Sequence, residues 1–372
     1  MPLNLASPGI VVREVDLTVG RVDTASDKVG ALVGPFAKGS VDLPILVENE
    51  QDLLDNFGQP YSADKHYEYW MTASSYLSYG GPLRIVRADD DDLKNAFAGT
   101  ASDIKIKSTE HYNDLGYDGS TITGVTVVAR NPGSWGNGLK VAIIDDLADQ
   151  VLTFSSLPAN IAVGYGITQN VPANTVLAGS GTTSLLTGFF KGIVTEVDSA
   201  NNKVSVKVLE QVNSAGVSTE VSYQPNGLYK FGNTAVAIHT TGVGAAYTTG
   251  NVPTGNVDWF DSQTIQLTNS TINWNNIADR PGTSSFAEAR NSRFDEVHVV
   301  VIDDLGEVTG NAGTILEKHL SLSKAKDGEY SLGSPSYWRK YTYNNSSNIF
   351  AGGAPAGIVT TSFGTGGSNF SL

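Results

Sequence analysis

"DKHYEYWMTASSYLSYGGPLRIVRA", residues 64–88, is the stretch on which the fold turns. Its first part places Tyr67, Trp70, Met71, Ser74 and Leu77 at i, i+3, i+4, i+7 spacing, the signature of a helix over 64–79 with one face on a core. Gly80 and Gly81 stop it and Pro82 forbids continuation. "LRIVRA" at 83–88 then reads as a strand. Upstream, 29–36 ("VGALVGPF") and 43–47 are strand-like, and 50–57 ("EQDLLDNF") is a short helix ended by Gly58 and Pro60. Strand, helix and strand at this spacing make an α/β unit, assigned to residues 21–92.

Downstream the pattern turns to β. Strands are expected in 121–130 and 139–145, flanking the Gly-rich "NPGSWGNG" at 131–138. No charged residue occurs from 151 to 190, and 192–212 alternates as a hairpin around 199–202. Residues 151–256 are therefore read as a separate all-β insertion at the surface. It interrupts a β-rich middle domain made of 93–150 and 257–352. In that second part 262–267, 296–303 and 314–323 are strand candidates, and 336–344 a short helix. The expected class is a mostly-β α+β fold of several domains. An extended arm at 1–20 precedes them, and 353–372 begins a following region.

Composition narrows the function. Of 372 residues 40% are apolar and 17% charged, below the roughly 25% charge of an average soluble protein, and 40 are glycine. Twenty-four basic against 38 acidic residues give a net charge of −14, which repels nucleic acid and anionic membranes. No apolar run approaches the ~18–20 residues needed to span a bilayer. Cysteine is absent, so disulfides, thiolate metal sites and cysteine nucleophiles are all excluded.

No stretch assembles a catalytic set. The acidic run 89–92 lacks the D-x-D-x-[DN]-G spacing of a calcium loop and reads as a solvated turn. "VVVIDD" at 299–304 resembles a magnesium-binding strand end, but the phosphate loop such a strand requires is missing. Asp303 and Asp304 are better placed in a turn with Gly306. "GPFAKGS" at 34–40 has the wrong spacing for phosphates. His66, His111, His239, His298 and His319 are scattered, and no two share a helix face. In 131–138, Gly136 and Gly138 are expected to supply positive φ, with Trp135 covering a core edge. No enzyme activity, metal or cofactor is expected.

The arm poses a different question. In "SPGIVVREVDL" (7–17), Ile10, Val12 and Glu14 alternate with Val11, Arg13 and Val15 as in a half-buried strand. A lone strand leaves both edges unpaired, and 18–28 is too polar to supply a hairpin mate. Its partner lies elsewhere in the chain or in another copy.

Read in order, these pieces resemble the tail sheath proteins of contractile-tailed bacteriophages, the T-even-like group in particular. The motifs are "SPGIVVREVD", "GALVGPFAKGSVDLPILVENEQDLLDNFGQP", "YLSYGGPLRIVRADD", "ARNPGSWGNGLKVAI" and "FDEVHVVVIDDLGEVTG…LEKHLSLS…YWRKYTYNNSSNIF". The resemblance runs from residue 7 to about 352 and is weakest through 151–256. It implies a structural subunit that polymerises around a tail tube and contracts to drive it through the host envelope. The implied partners are further copies of the chain, the tube protein, and baseplate and tail terminator proteins. The implied location is the virion, after assembly in the host cytoplasm. It also implies that Ile10, Val11, Val12, Arg13, Glu14 and Val15 form a strand joining a sheet in a neighbouring subunit. Since such proteins continue beyond the region matched here, the chain reads as an N-terminal portion. A glycan-binding β-rich adhesin accounts for 151–256 but not for the ordered motifs of 7–90. A bacterial contractile injection sheath is a structural relative of the same kind.

Overall fold

The computed structural model describes residues 29–60, 66–175, 186–213, 215–223, 229–240, 251–352 and 368–372. The chain divides into two compact units, Met1–Asp91 and Asp92–Leu372. It is a mostly-β α+β fold built from several sheets.

The first unit contains strands β1 (Gly30–Gly34) and β2 (Pro44–Val47), helices α1 (Glu50–Phe57) and α2 (His66–Ser78), and strand β3 (Leu83–Arg87). The strands form a sheet ordered β1-β3-β2, with β1 parallel and β2 antiparallel to β3. Asn49 caps α1 by accepting the Asp52 N–H at 2.9 Å, and Gly58 ends it with its own N–H on the Leu54 carbonyl. Val47, Leu53, Phe57, Trp70, Ala73, Leu77, Leu83 and Ile85 join the helices to one face of the sheet. The Trp70 indole N–H also donates to the Gly58 carbonyl, at 2.9 Å.

The core face of α2 differs from the one its apolar spacing suggests. Trp70, Ala73 and Leu77 are buried, whereas Tyr67 and Met71 are about two-fifths exposed, at 40% and 39%. Aromatic residues surround this helix, so side-chain size does not single out one stripe.

The second unit opens with β4 (Phe97–Gly99), α3 (Thr109–Asp114), β5 (Val125–Ala129) and β6 (Leu139–Asp145). Next come β7 (Gln150–Phe154), β8 (Gly166–Thr175), β9 (Leu186–Asp198), β10 (Lys203–Asn213), β11 (Ser218–Glu220), β12 (Val236–His239) and β13 (Pro253–Asp258). They are followed by β14 (Thr264–Gln266), β15 (Thr271–Asn273), α4 (Ser285–Glu288), β16 (Glu296–Asp303) and β17 (Thr314–Ser323). The last elements are β18 (Glu329–Ser331), β19 (Ser334–Pro335), α5 (Trp338–Asn345), β20 (Ile349–Ala351) and β21 (Ser368–Ser371).

A four-stranded sheet ordered β17-β16-β6-β21 is the centre of this unit. One face carries Val141, Ile143, Val299 and Val301 against Trp135 and Trp338. The other carries Ala142, Ile144, Val300 and Ile302 against Trp259, Phe260 and Trp274. Burial on both faces explains why 299–302 reads as an unbroken apolar run rather than an alternation. A smaller sheet, β20-β5-β4, adds Ile106, Tyr112, Val125, Val128 and Phe350 as a further core, with Tyr112 stacked on Phe350 at 4.3 Å.

A seven-stranded antiparallel sheet, β12-β8-β9-β10-β7-β13 with β11 on β10, has its own core of Leu152, Phe154, Ile167, Phe190, Val194, Val204, Val206 and Phe231. The β9–β10 hairpin closes through Asp198↔Lys203, and Asn202 takes a φ of 52° in its turn. The first and last strands of this excursion are neighbours: β7 pairs with β13 from Gln150↔Asp258 to Phe154↔Pro253.

Candidate functional site

The arm residues Ile10, Val11, Val12, Arg13, Glu14 and Val15 lie outside the described residues. Asp303 Oδ2 accepts the Val308 N–H (3.0 Å), the Thr309 N–H (2.7 Å) and the Thr309 hydroxyl (2.8 Å). It thereby organises the β16–β17 connection, where Gly306 has a φ of 83°. Asp304 accepts from the Thr268 amide and hydroxyl at 2.8 and 2.9 Å and pairs with Lys140 at 3.0 Å. Burial opposes its ionisation, but these hydrogen bonds and Lys140 hold the carboxyl below the ordinary range. Residues 89–92 are exposed.

The histidines stay apart. His298 is buried between the Asp279 carbonyl (2.9 Å from Nε2) and the Ser321 N–H (2.9 Å from Nδ1), and burial lowers its pKa. His319 pairs with Glu317 at 2.9 Å, and His239 meets the Thr168 hydroxyl at 2.8 Å. Among the described residues no group of His, Asp or Glu is placed to hold a metal ion, and no helix is long and apolar enough to cross a membrane.

The loop at 131–138 supports a core. Ser134–Gly138 forms a 3-10 turn that buries Trp135 against Leu139, Val299 and Trp338. The positive φ falls at Gly133 (133°), not at Gly136 or Gly138. Those two are required for close approach instead. A Cβ at Gly136 would stand 2.9 Å from the Cβ atoms of Ala129 and Ala96, and one at Gly138 would stand 2.7 Å from Glu307 Cγ.

Two polar constructions emerge that the linear sequence does not single out. The first is Arg87, the second arginine of "LRIVRA", which is 3% exposed. Its Nε donates to the Phe36 carbonyl at 2.6 Å, Nη1 to Gly39 at 2.9 Å and Nη2 to Ala37 at 3.2 Å. Burial pulls its pKa down to about 10, so it stays charged at neutral pH. Two of the ordered motifs, "GPFAKG" and "LRIVRA", are therefore a loop and the guanidinium that ties it down.

The second lies where the seven-stranded sheet meets the central one. Lys324 donates to Asp145 at 2.9 Å, both side chains being 2% exposed. Lys207 of β10 reaches the Asp146 carbonyl (2.7 Å) and carboxylate (3.5 Å). Arg280 spans Asp149 (3.5 Å), Asp146 (4.0 Å) and Asp258, and the Tyr223 hydroxyl donates to Asp258 at 2.8 Å. The Val208 N–H donates to Asp149 at 2.6 Å. Four carboxylates face three cations. Burial, then the neighbouring Asp146, push the Asp149 carboxyl up to about 7 against the pull of Lys207, Val208 N–H and Arg280. Such a joint can hold two sheets in register and take up a proton, but it presents no nucleophile or open substrate position.

Comparison with known proteins points one way. No protein-family model matches the chain. A tail sheath protein of Enterobacteria phage T4 is 38% identical over 95 residues, 25% of this chain and 14% of that protein. A tail sheath protein of Vibrio phage KVP40 is 38% identical over 92 residues, 24% of this chain and 13% of that one. The matches thus span about a seventh of those relatives. Among solved structures, a sheath tail protein from Listeria innocua aligns over 63% of this chain and 37% of its own, at 13% identity. Its TM-score of 0.19 carries no argument about the fold. The sequence matches are what count: over about a quarter of its length this chain is a homologue of phage tail sheath proteins.

Proposed function

We propose that the chain is part of a structural subunit of a contractile phage tail sheath, polymerising around the tail tube and shortening to drive it through the host envelope. The 38% identity to a T4 tail sheath protein carries the reading. The polar groups weighed for chemistry support it, since Asp303, Asp304, His298 and His319 are all committed to internal partners. The subunit works without catalysis: an extended lattice relaxes to a compact one, with no nucleotide consumed. Its partners are further copies of itself, the tube protein, and baseplate and terminator proteins. It is assembled in the host cytoplasm and resides in the virion tail.

Ile10, Val11, Val12, Arg13, Glu14 and Val15 form the strand that joins a neighbour's sheet, a heterologous contact that generates an open helical array. Residues 21–92 form the α/β unit, 93–150 with 257–352 the middle domain, and 151–256 an insertion on the outer face of the sheath. The test is Val12→Pro in the intact protein, which removes a ladder donor and fixes φ. Soluble, folded subunits that form no striated sheath by electron microscopy are expected. Normal contractile sheaths from that variant would refute the linking arm, and the absence of the chain from purified tails would refute the sheath role itself.

A further inference from the structure

Beside β11 the second unit holds a cleft of about 370 Å³ that the sheath reading leaves unused. Glu220 and Ser222 lie on one side; Glu288, the last residue of α4, and Asn291, Arg293 and Phe294 from the segment after it lie on the other. Arg293 and Glu220 pair across it at 3.0 Å. The volume is at the lower end of the roughly 300–1,000 Å³ typical of ligand sites, enough for a mono- or disaccharide.

Its chemistry is selective. A lining of carboxylate, amide, hydroxyl and guanidinium groups is too polar for an apolar ligand and suits one rich in hydroxyls. The aromatic Phe294 stands among them in an unusual backbone state. Asn291 and Phe294 have φ values of 54° and 59°, and for a bulky residue such as Phe the left-handed region is a true outlier. Phe294 is held there from two directions. Its N–H donates to the Thr283 hydroxyl at 3.0 Å, and the Lys207 ammonium sits 3.4 Å from the ring centroid. Lys207 covers one face of the ring, so only the opposite face can meet the C–H face of a sugar, while planar carboxylate and amide groups pair with adjacent hydroxyls. Glu220 and Glu288 outnumber Arg293, so the lining is net negative and disfavours acidic sugars.

We propose that this cleft binds a neutral pyranose, with Phe294 as the stacking surface and Glu220, Asn291 and Glu288 as hydroxyl partners. The inference is independent of the sheath role.

Saturation-transfer NMR on the full chain tests it with the methyl glycosides of glucose, galactose and N-acetylglucosamine, and with N-acetylneuraminate, each at ~10 mM, since a small polar site binds in the millimolar range. At least one neutral glycoside is expected to show transfer, and N-acetylneuraminate none. Asn291→Gly keeps the left-handed backbone and removes the amide; it should weaken binding about tenfold without lowering the melting temperature. Glu220→Gln should weaken it similarly. Silence from all three neutral glycosides overturns the proposal. So does binding that survives both substitutions, or a preference for N-acetylneuraminate.

Discussion

Replacing Asp149 with asparagine tests whether the ionic joint between the two large sheets is linked to protons. The carboxyl titrates near 7 in the folded chain and at 3.8 when unfolded, so folding takes up a proton between those values. The stability this proton provides is fully present below the unfolded pKa and is lost as pH rises through the folded one. Roughly three pKa units correspond to about 4 kcal/mol in total. Of that, roughly 2 to 3 kcal/mol falls between about pH 5 and about pH 8. Asp146 and Lys207 are shifted by burial in the same field, so this is an upper limit.

Calorimetric melts of the parent should lose up to about 5 °C across that interval. In the Asp149→Asn variant the side-chain amide would still accept the Val208 N–H but carries no titrating proton, so its curve should lose the part of the slope that Asp149 supplies. Above about pH 7 its absolute stability also differs from the parent's, because the amide cannot form the ion pair that the ionised carboxylate makes with Arg280. The pH slope is therefore the informative quantity. Parallel slopes for parent and Asp149→Asn would place the titrating group elsewhere.

Three further outcomes follow from the packing. Arg87→Ala should destabilise the first unit by about 3 kcal/mol or more, since three buried carbonyls lose their donor, and Arg87→Lys should recover little because an ammonium lacks the fork; denaturant melts of the two variants measure this. Gly136→Ala should cost about 1–3 kcal/mol by overpacking against Ala96 and Ala129, whereas Gly255→Ala, with no atom within 4 Å of the added carbon, should stay within about 0.5 kcal/mol in the same assay. Asp303→Ala should loosen the β16–β17 connection by about 1–3 kcal/mol, seen as faster amide exchange at Val308 and Thr309.

Much of the framework is legible because local signals agree with the tertiary solution. The 50–57 helix has its Asn cap and terminal Gly, and the 192–212 hairpin alternates on both arms. The ordered motifs point to sheath proteins without any knowledge of contacts. Legibility fails where meaning depends on distant partners. Arg87 shares a two-residue period with Leu83 and Ile85, which could have marked it as inward-facing, but only the fold shows what it grips. Helix α3 is short and polar, with Ser108 as its cap, and leaves little periodicity to read. The joint around Asp149 draws on β10, the segment before α4 and the β6–β7 connection, and no spacing rule links them.

The adjacency of β7 and β13 has an evolutionary and practical consequence. From β7 the chain runs through β8–β12 of the same sheet and comes back beside β7 at 253, so the excursion begins and ends at one closed doorway. The entropy of closing that doorway grows only logarithmically with what is strung between its posts, about 0.6 kcal/mol per doubling of length. Lineages can therefore lengthen or shorten the parts beyond β10 at little entropic cost, whereas β10 is tied to β7 by pairing and to the ionic joint by Lys207. The turn of the β9–β10 hairpin, between Asp198 and Lys203, is the place to graft a guest domain without breaking that pairing. In a helical polymer each subunit would then display one guest at a fixed spacing.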